Sequence, residues 1–316
     1  MNYSELLPGY MMVYNGTDLQ SVLQTTTVDQ ITLTNNRVKK LYTLGDKNNE
    51  HIILLPPVGM SFLLVSKLAK TLSQNYFVLC WESVGCPDIS ERFEDGQESL
   101  SYQIEELTEI LCAKNISEFH FVGWCQACQK LMKFCPTTAN STLKSITLLA
   151  PAGLGTSLLD SEFGRCALPI YLQMAARDEK FASQMSAILG ANKKPEATEH
   201  TSGELISLAH LQDPKTSIRF AKYMLSFDKE RKNIDPQKYQ LFLTTPTHII
   251  HCKDDEFSHY SESVQLSKRI PSLHLSLLSK GGHLMMFNQP DAAAELIHKQ
   301  ITKINDKAVS SEPLQA

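Results

Sequence analysis

Short apolar runs alternate with helix-period segments along most of this 316-residue chain, and that alternation restricts the fold more than any other feature. Ile31-Thr32-Leu33-Thr34 and Val38 to Thr43 predict an antiparallel opening hairpin, followed by strands at His51 to Leu55, Tyr76 to Trp81, Phe119 to Val122, Ser145 to Ala150, Thr247 to His251 and Leu273 to Leu278. Helical spacing lies between them: Phe62 to Leu72, a set at Leu100, Ile104, Leu107 and Leu111, and a segment after Pro290. Strand and helix in turn, with short connections, make a mostly parallel sheet flanked by helices on both faces.

The rhythm breaks once. From about Leu154 to Asp235 only helices are read, around Pro169 to Ala176, Phe181 to Leu189, Gly203 to Leu211 and Thr216 to Phe227, with Lys193-Lys194 as a solvated loop. A block of that length inside a compact domain is rarely structureless, so it is expected to be an inserted helical lid. The domain reading is therefore residues 1–153 and 236–304 as two parts of one α/β core, 154–235 as lid, and 305–316 as a flexible polar tail.

Net charge is −4 with no Lys/Arg block, which argues against a nucleic-acid or anionic membrane partner. No apolar stretch reaches a membrane span and the first residues lack a secretory pattern, so a cytoplasmic setting is expected. In that setting the eight cysteines read as thiols. Cys80, Cys86, Cys112, Cys135, Cys166 and Cys252 are expected to be structural.

Cys125 is different. Gly123-Trp124-Cys125-Gln126-Ala127 stands between a predicted strand and a predicted helix, with small residues two positions either side of the cysteine. A sharp strand-to-helix elbow that strains its central residue demands that pattern and presents the side chain as a nucleophile, with the helix dipole favouring a thiolate. An acid and a histidine follow in the required order. Cys252-Lys253-Asp254-Asp255-Glu256 comes just past one strand and Lys280-Gly281-Gly282-His283-Leu284 just past the next. Cys125, Asp255 and His283 could then serve as nucleophile, orienting acid and general base, with Asp254 competing for the acid's place. Cys125-x-x-Cys128 also has the spacing of a redox or zinc half-site, but no second pair accompanies it, and Cys128 is expected to pack behind the elbow. His251 reads as core and His259 as a solvated rim residue. Trp81 reads as core filling, whereas Trp124, beside the nucleophile, could line a substrate pocket.

With these residues in place the chain resembles the α/β-hydrolase fold family from about Val38 to Ile301. Gly281-Gly282-His283-Leu284 ahead of Gln289-Pro290-Asp291 is similar to that family's His loop and last helix. Cys125 stands where the family usually has Ser, and Ala127 where it has a second Gly. A Cys elbow resembles the acyl- and aminoacyltransferases that accompany nonribosomal peptide synthetases, and also polyhydroxyalkanoate synthases. The resemblance implies an oxyanion hole of two backbone N–H groups, one from Gln126 and one from Pro56-Pro57-Val58-Gly59-Met60. Val58 is the donor in that alignment, with Gly59 the alternative after a one-residue slip; Pro57 has no N–H.

The expected function is transfer of acyl or aminoacyl groups through an acyl-Cys125 intermediate. The substrate would arrive as a phosphopantetheine thioester on an acyl or peptidyl carrier protein, with no dissociable cofactor and no metal. The alternative is a thioesterase or ester hydrolase using the same triad. A non-catalytic binding protein on a degenerate hydrolase fold is the third class, and the three residues in order speak against it.

Overall fold

The computed structural model describes residues 17–83, 97, 99–132, 134–152, 173–184, 217–223, 225, 240–270 and 272–311. An 8-stranded sheet organises them in the order β1-β2-β4-β3-β5-β6-β7-β8. The strands are β1 (Thr27–Thr32), β2 (Val38–Leu44), β3 (His51–Leu55), β4 (Phe77–Trp81), β5 (Glu118–Trp124), β6 (Thr142–Leu149), β7 (Thr247–Cys252) and β8 (Leu273–Leu278). β1 and β2 pair antiparallel, β2 joins β4 antiparallel, and every other pair is parallel. The chain passes from β3 outward to β4 and returns on the other side of β3 as β5. This reversal opens a crevice at the carboxyl ends of β3 and β5, where ligands of open parallel sheets bind.

Alternation along the strands divides the core between the two faces. Ile52 and Leu54 turn to one face, with Val122, Trp124 and Ile250, under the helices Leu63–Leu72 and Pro290–Ser311. Ile53 and Leu55 turn to the other with Phe121, Leu148 and Ile249, under the helix Leu100–Ala113. Ser99 caps that last helix, its side chain accepting from the Tyr102 amide.

Beneath the crevice the second face also holds charge. Lys39 and Glu106, at 1% and 0% side-chain exposure, form an ion pair at 2.8 Å, and the Trp81 indole donates to the other Glu106 oxygen at 2.9 Å. Trp81 is thus core, as expected, but with its N–H satisfied by a buried carboxylate. Removing one partner of a buried pair strands the other charge, so Glu106→Ala should cost about 3–5 kcal/mol in urea denaturation. A loss below about 1 kcal/mol would contradict the pairing.

Three expectations are revised. The first hairpin strand lies earlier, at Thr27–Thr32, because Thr34–Asn36 form a 3-10 turn with Asn36 at φ +58°. The segment after Cys125 is a 3-10 helix, Cys125–Met132, in place of the expected regular helix. The last helix runs through Asn305 to Ser311, so the tail does not begin at Asn305. Ile301 is buried and the Asn305 amide donates to Glu50 at 2.9 Å, tethering that helix.

Of the lid, residues 173–175, 179–184 and 217–223 are helical. Ala175, Ala182, Ala221 and Tyr223 from these pieces pack with Leu100 and with Val58 above the crevice. The predicted helix Gly203 to Leu211, Lys193-Lys194, Cys86 and Cys166 lie outside the described residues. No helix among the described residues is long and apolar enough to cross a membrane.

Candidate active site

Cys125 follows directly on β5 and adopts φ +53°, in the left-handed region that a side chain rarely occupies. The turn is possible because its flanks are small. A Cβ on Gly123 would come within 2.5 Å of the Phe121 ring, and Ala127 is buried at 1% exposure. Cys128 lies behind the elbow, its S–H donating to the Gly123 carbonyl at 3.1 Å, and burial pushes its thiol well above the ordinary value. Both cysteines are free thiols.

β7 and β8 deliver the other two groups. After Cys252 the chain turns back, the Asp255 amide donating to the Cys252 carbonyl at 3.3 Å. One Asp255 oxygen accepts from the amides of Phe257 (2.9 Å) and Ser258 (2.8 Å). The other accepts from His283 Nδ1 at 2.9 Å and from His251 Nε2 at 3.1 Å. Burial alone would raise this carboxyl, but the hydrogen bonds from His251 and His283 hold it well below the usual carboxylate range.

His283 Nδ1 is committed to Asp255, and the His283 side chain also interacts with that of Cys125. Burial disfavours the charged imidazole. The negative charge on Cys125 and the bond to Asp255 outweigh it and raise His283 from 6.5 to about 10. The charged imidazole is therefore favoured in this setting. Its contribution to stability is full below the ordinary His value of about 6.5 and is lost as pH rises through about 10. The Asp255 contribution has the opposite sign, present above its ordinary value and lost on acidification. In Cys125→Ala the imidazole keeps only Asp255, so its titration midpoint, followed by NMR of the ring protons, should fall. An unchanged midpoint would contradict the pairing.

Asp254 does something else. Its oxygens accept from the backbone amides of Gly281 (3.1 Å) and Gly282 (2.9 Å), pinning the loop that carries His283. Gly281 at φ +137° and Gly282 at φ +62° give that loop a path few other residues could follow. Cys252 occupies the space beside it, where a Cβ on Gly281 would lie 2.9 Å from its sulfur. Burial, with Asp254 and Asp255 adding, pushes the Cys252 thiol up to about 12, as befits a structural cysteine. Because Asp254 is exposed and holds only backbone, Asp254→Ala should lower turnover by roughly 10-fold or less. A loss equal to that of Asp255→Asn would contradict this division of labour.

Trp124 is buried at 2% exposure, and its indole donates to the His283 carbonyl at 3.0 Å. The structure thus gives it a place in holding the His loop, where the sequence suggested pocket lining. Phe257, 44% exposed, sets its ring 4.7 Å from His283 and forms the outer lip of the site. The Pro56–Met60 loop is a turn closed by the Met60 amide donating to the Pro57 carbonyl at 3.2 Å, with Gly59 at φ +78°. Val58 is fully buried within it, and among the described residues no partner is found for the Val58 or Gly59 amides. Gln126, the residue after Cys125, is also buried.

Two residues escaped the sequence reading. His251, taken as core, is fully buried but also donates to Asp255 and to the Ser258 carbonyl (2.7 Å), while its Nδ1 meets Ser263 Oγ at 2.7 Å. Its spacing of four from Asp255 was the available signal. Tyr223 of the lid is buried beside Val58, and burial, followed by the charge on Cys125, raises its phenol well above the ordinary value. No signal in a helical lid segment singles it out.

No family model matches the chain. It is 25% identical over 258 residues, 77% of this chain and 90% of the relative, to the Acinetobacter baylyi protein named "Putative carbamate hydrolase RutD". Among solved structures, epoxide hydrolases of the α/β-hydrolase superfamily from hot-environment metagenomes superpose with a TM-score of 0.68, at 14% identity and over 88% of this chain and 99% of that chain. An enol-lactonase from Burkholderia xenovorans LB400 does so with a TM-score of 0.64, at 13% identity and over 87% and 100%. The fold is that of the α/β hydrolases. Just past the ends of β5, β7 and β8 stand Cys125, Asp255 and His283.

Proposed function

We propose that this α/β hydrolase cleaves acyl esters or thioesters through an acyl-Cys125 intermediate. The observation that carries the reading is Cys125 in its strained elbow, interacting with a His283 whose Nδ1 lies 2.9 Å from Asp255. A binding protein on the same fold would need none of the three. The names of the relatives, carbamate hydrolase, enol-lactonase and epoxide hydrolase, add support for a hydrolytic reaction class.

The steps follow from the geometry. The Cys125 thiolate attacks the acyl carbon, and the carbonyl electron pair moves to an oxygen received by the amides of Gln126 and Val58 or Gly59. As the carbonyl re-forms, the bond to the leaving group breaks and that group takes the proton of the His283 imidazolium. Neutral His283 then accepts a proton from water as the water attacks the thioester. Collapse releases the acid and restores thiolate and imidazolium. Asp255 keeps the ring oriented and charged throughout.

A second reading is favoured by the nucleophile itself. A Cys enzyme captures an acyl group from a phosphopantetheine thioester as another thioester, a nearly thermoneutral and reversible exchange. Transfer of acyl or aminoacyl groups from a carrier protein to a second thiol or an amine, with hydrolysis as a leak, is the corresponding proposal. A lid packed over Val58 would serve it by limiting water. Products formed from an acyl thioester with and without an added thiol acceptor separate the two. Free acid at the same rate in both supports the hydrolase, and acyl-thiol at the expense of acid supports transfer. Neither product above the rate of Cys125→Ala would overturn both.

A further inference from the structure

Glu82 and Ser83 follow directly on β4, at 2% and 1% exposure, and the steps above make no use of either. One Glu82 carboxylate oxygen accepts from the Phe62 amide at 2.6 Å and from the Ser61 hydroxyl at 2.9 Å. The other accepts from the Tyr42 hydroxyl at 3.1 Å, and the Tyr42 and Phe62 rings stack 4.3 Å apart. Ser61 and Phe62 are the residues immediately after Met60, which closes the turn holding Val58 and Gly59. Ser83 Oγ accepts from the buried Lys130 ammonium at 3.0 Å. Lys130 lies on the 3-10 helix that begins at Cys125. One dipeptide thus touches both the residues that follow the Pro57–Met60 turn and the helix that begins at Cys125. The Glu82 carbonyl is in turn held by Lys39 Nζ at 3.4 Å.

Burying this many charged and polar groups seldom adds stability over an apolar core of the same volume, so their presence calls for a geometric reason. Oxyanion donors supply one, because their worth depends on placement within a fraction of an ångström. We propose that Glu82 is a positioning residue that fixes the Pro57–Met60 turn for oxyanion stabilisation, with Ser83 tying the same strand end to the segment carrying Cys125. The proposal rests on Cys125 being the nucleophile.

Two reactions of Cys125 divide the possibilities. Acylation by p-nitrophenyl acetate passes through a tetrahedral oxyanion, whereas alkylation by iodoacetamide displaces iodide and forms none. Both are read by intact-protein mass spectrometry with peptide mapping to Cys125. In Glu82→Gln the acylation rate should fall roughly 10- to 100-fold while alkylation stays within about twofold of wild type. Ser61→Ala, which keeps the carboxylate and removes one donor to it, should shift the same ratio by a smaller factor, and it carries the test alone if Glu82→Gln does not fold. Equal loss of both rates would mark Glu82 as a merely structural residue and overturn the proposal, as would no change in either. Wild-type protein that is acylated no faster at Cys125 than Cys125→Ala is at its remaining thiols would instead overturn the nucleophile assignment, and the proposal with it.

Discussion

Cys125→Ala should reduce turnover of any acyl thioester by at least about 10⁴-fold, because it removes the sulfur proposed to form the covalent intermediate. The fold should survive, since the elbow strain at φ +53° falls on a smaller side chain and the flanking Gly123 and Ala127 are untouched. Steady-state kinetics on the two proteins reads the loss. Retention of more than about one part in a hundred would mean that another group carries the chemistry. Cys125→Ser is the informative companion. A hydroxyl does not ionise near neutral pH, so His283 would lose the Coulombic support that Cys125 gives its proton and would have to act as base from the start. Any residual activity should shift from thiol transfer to hydrolysis, because capture of an acyl group as an oxygen ester is downhill from a thioester.

Asp255→Asn should cost about 10³- to 10⁴-fold in turnover with little change in apparent substrate affinity. The carboxylate does two things that an amide cannot. It keeps Nδ1 of His283 as the donor, which leaves the other ring nitrogen for Cys125, and it stabilises the imidazolium. It also accepts from His251, so the variant leaves two imidazoles facing an uncharged partner. The pH dependence should change with the rate. The high-pH limb, set by loss of the His283 proton near 10 in the parent, should move to lower pH in Asp255→Asn. A rate within tenfold of wild type, or an unmoved limb, would contradict the assignment of Asp255.

Most of the sheet is legible because its strands are the apolar runs of the sequence. His51–Leu55 and Leu273–Leu278 fall where those runs fall. Thr27–Thr32 was displaced because Thr-Val-Asp-Gln-Ile-Thr is an edge strand with little burial, and its place is set by pairing with β2. That Cys125, Asp255 and His283 come together was legible because the elbow needs small residues at two fixed positions and the chain order of the three groups follows the strand order. Choosing Asp255 over Asp254 from sequence rested on resemblance. The geometry separates them by which one turns inward to His283 and which one pins the glycines.

The supporting groups were not legible for an identifiable reason. Glu82 reads as a polar residue ending a strand, and only Ser61 and Phe62, some twenty positions away, make it an internal clamp. Asn305 reads as the start of a polar tail, yet its partner Glu50 belongs to the other end of the chain. Such partnerships depend on tertiary proximity and leave no local period to detect. Residues 173–175, 179–184 and 217–223 are helical, and that Tyr223 packs beside Val58 is likewise a property of tertiary packing.

The most direct test of the account is intact-protein mass spectrometry of wild type and Cys125→Ala after brief exposure to a panel of acyl thioesters, free and on carrier proteins. The account predicts an increase by one acyl mass on wild type alone, mapped to the peptide containing Cys125 and removed by an added thiol or by prolonged incubation. Turnover without any adduct, retained in Cys125→Ala, would contradict it.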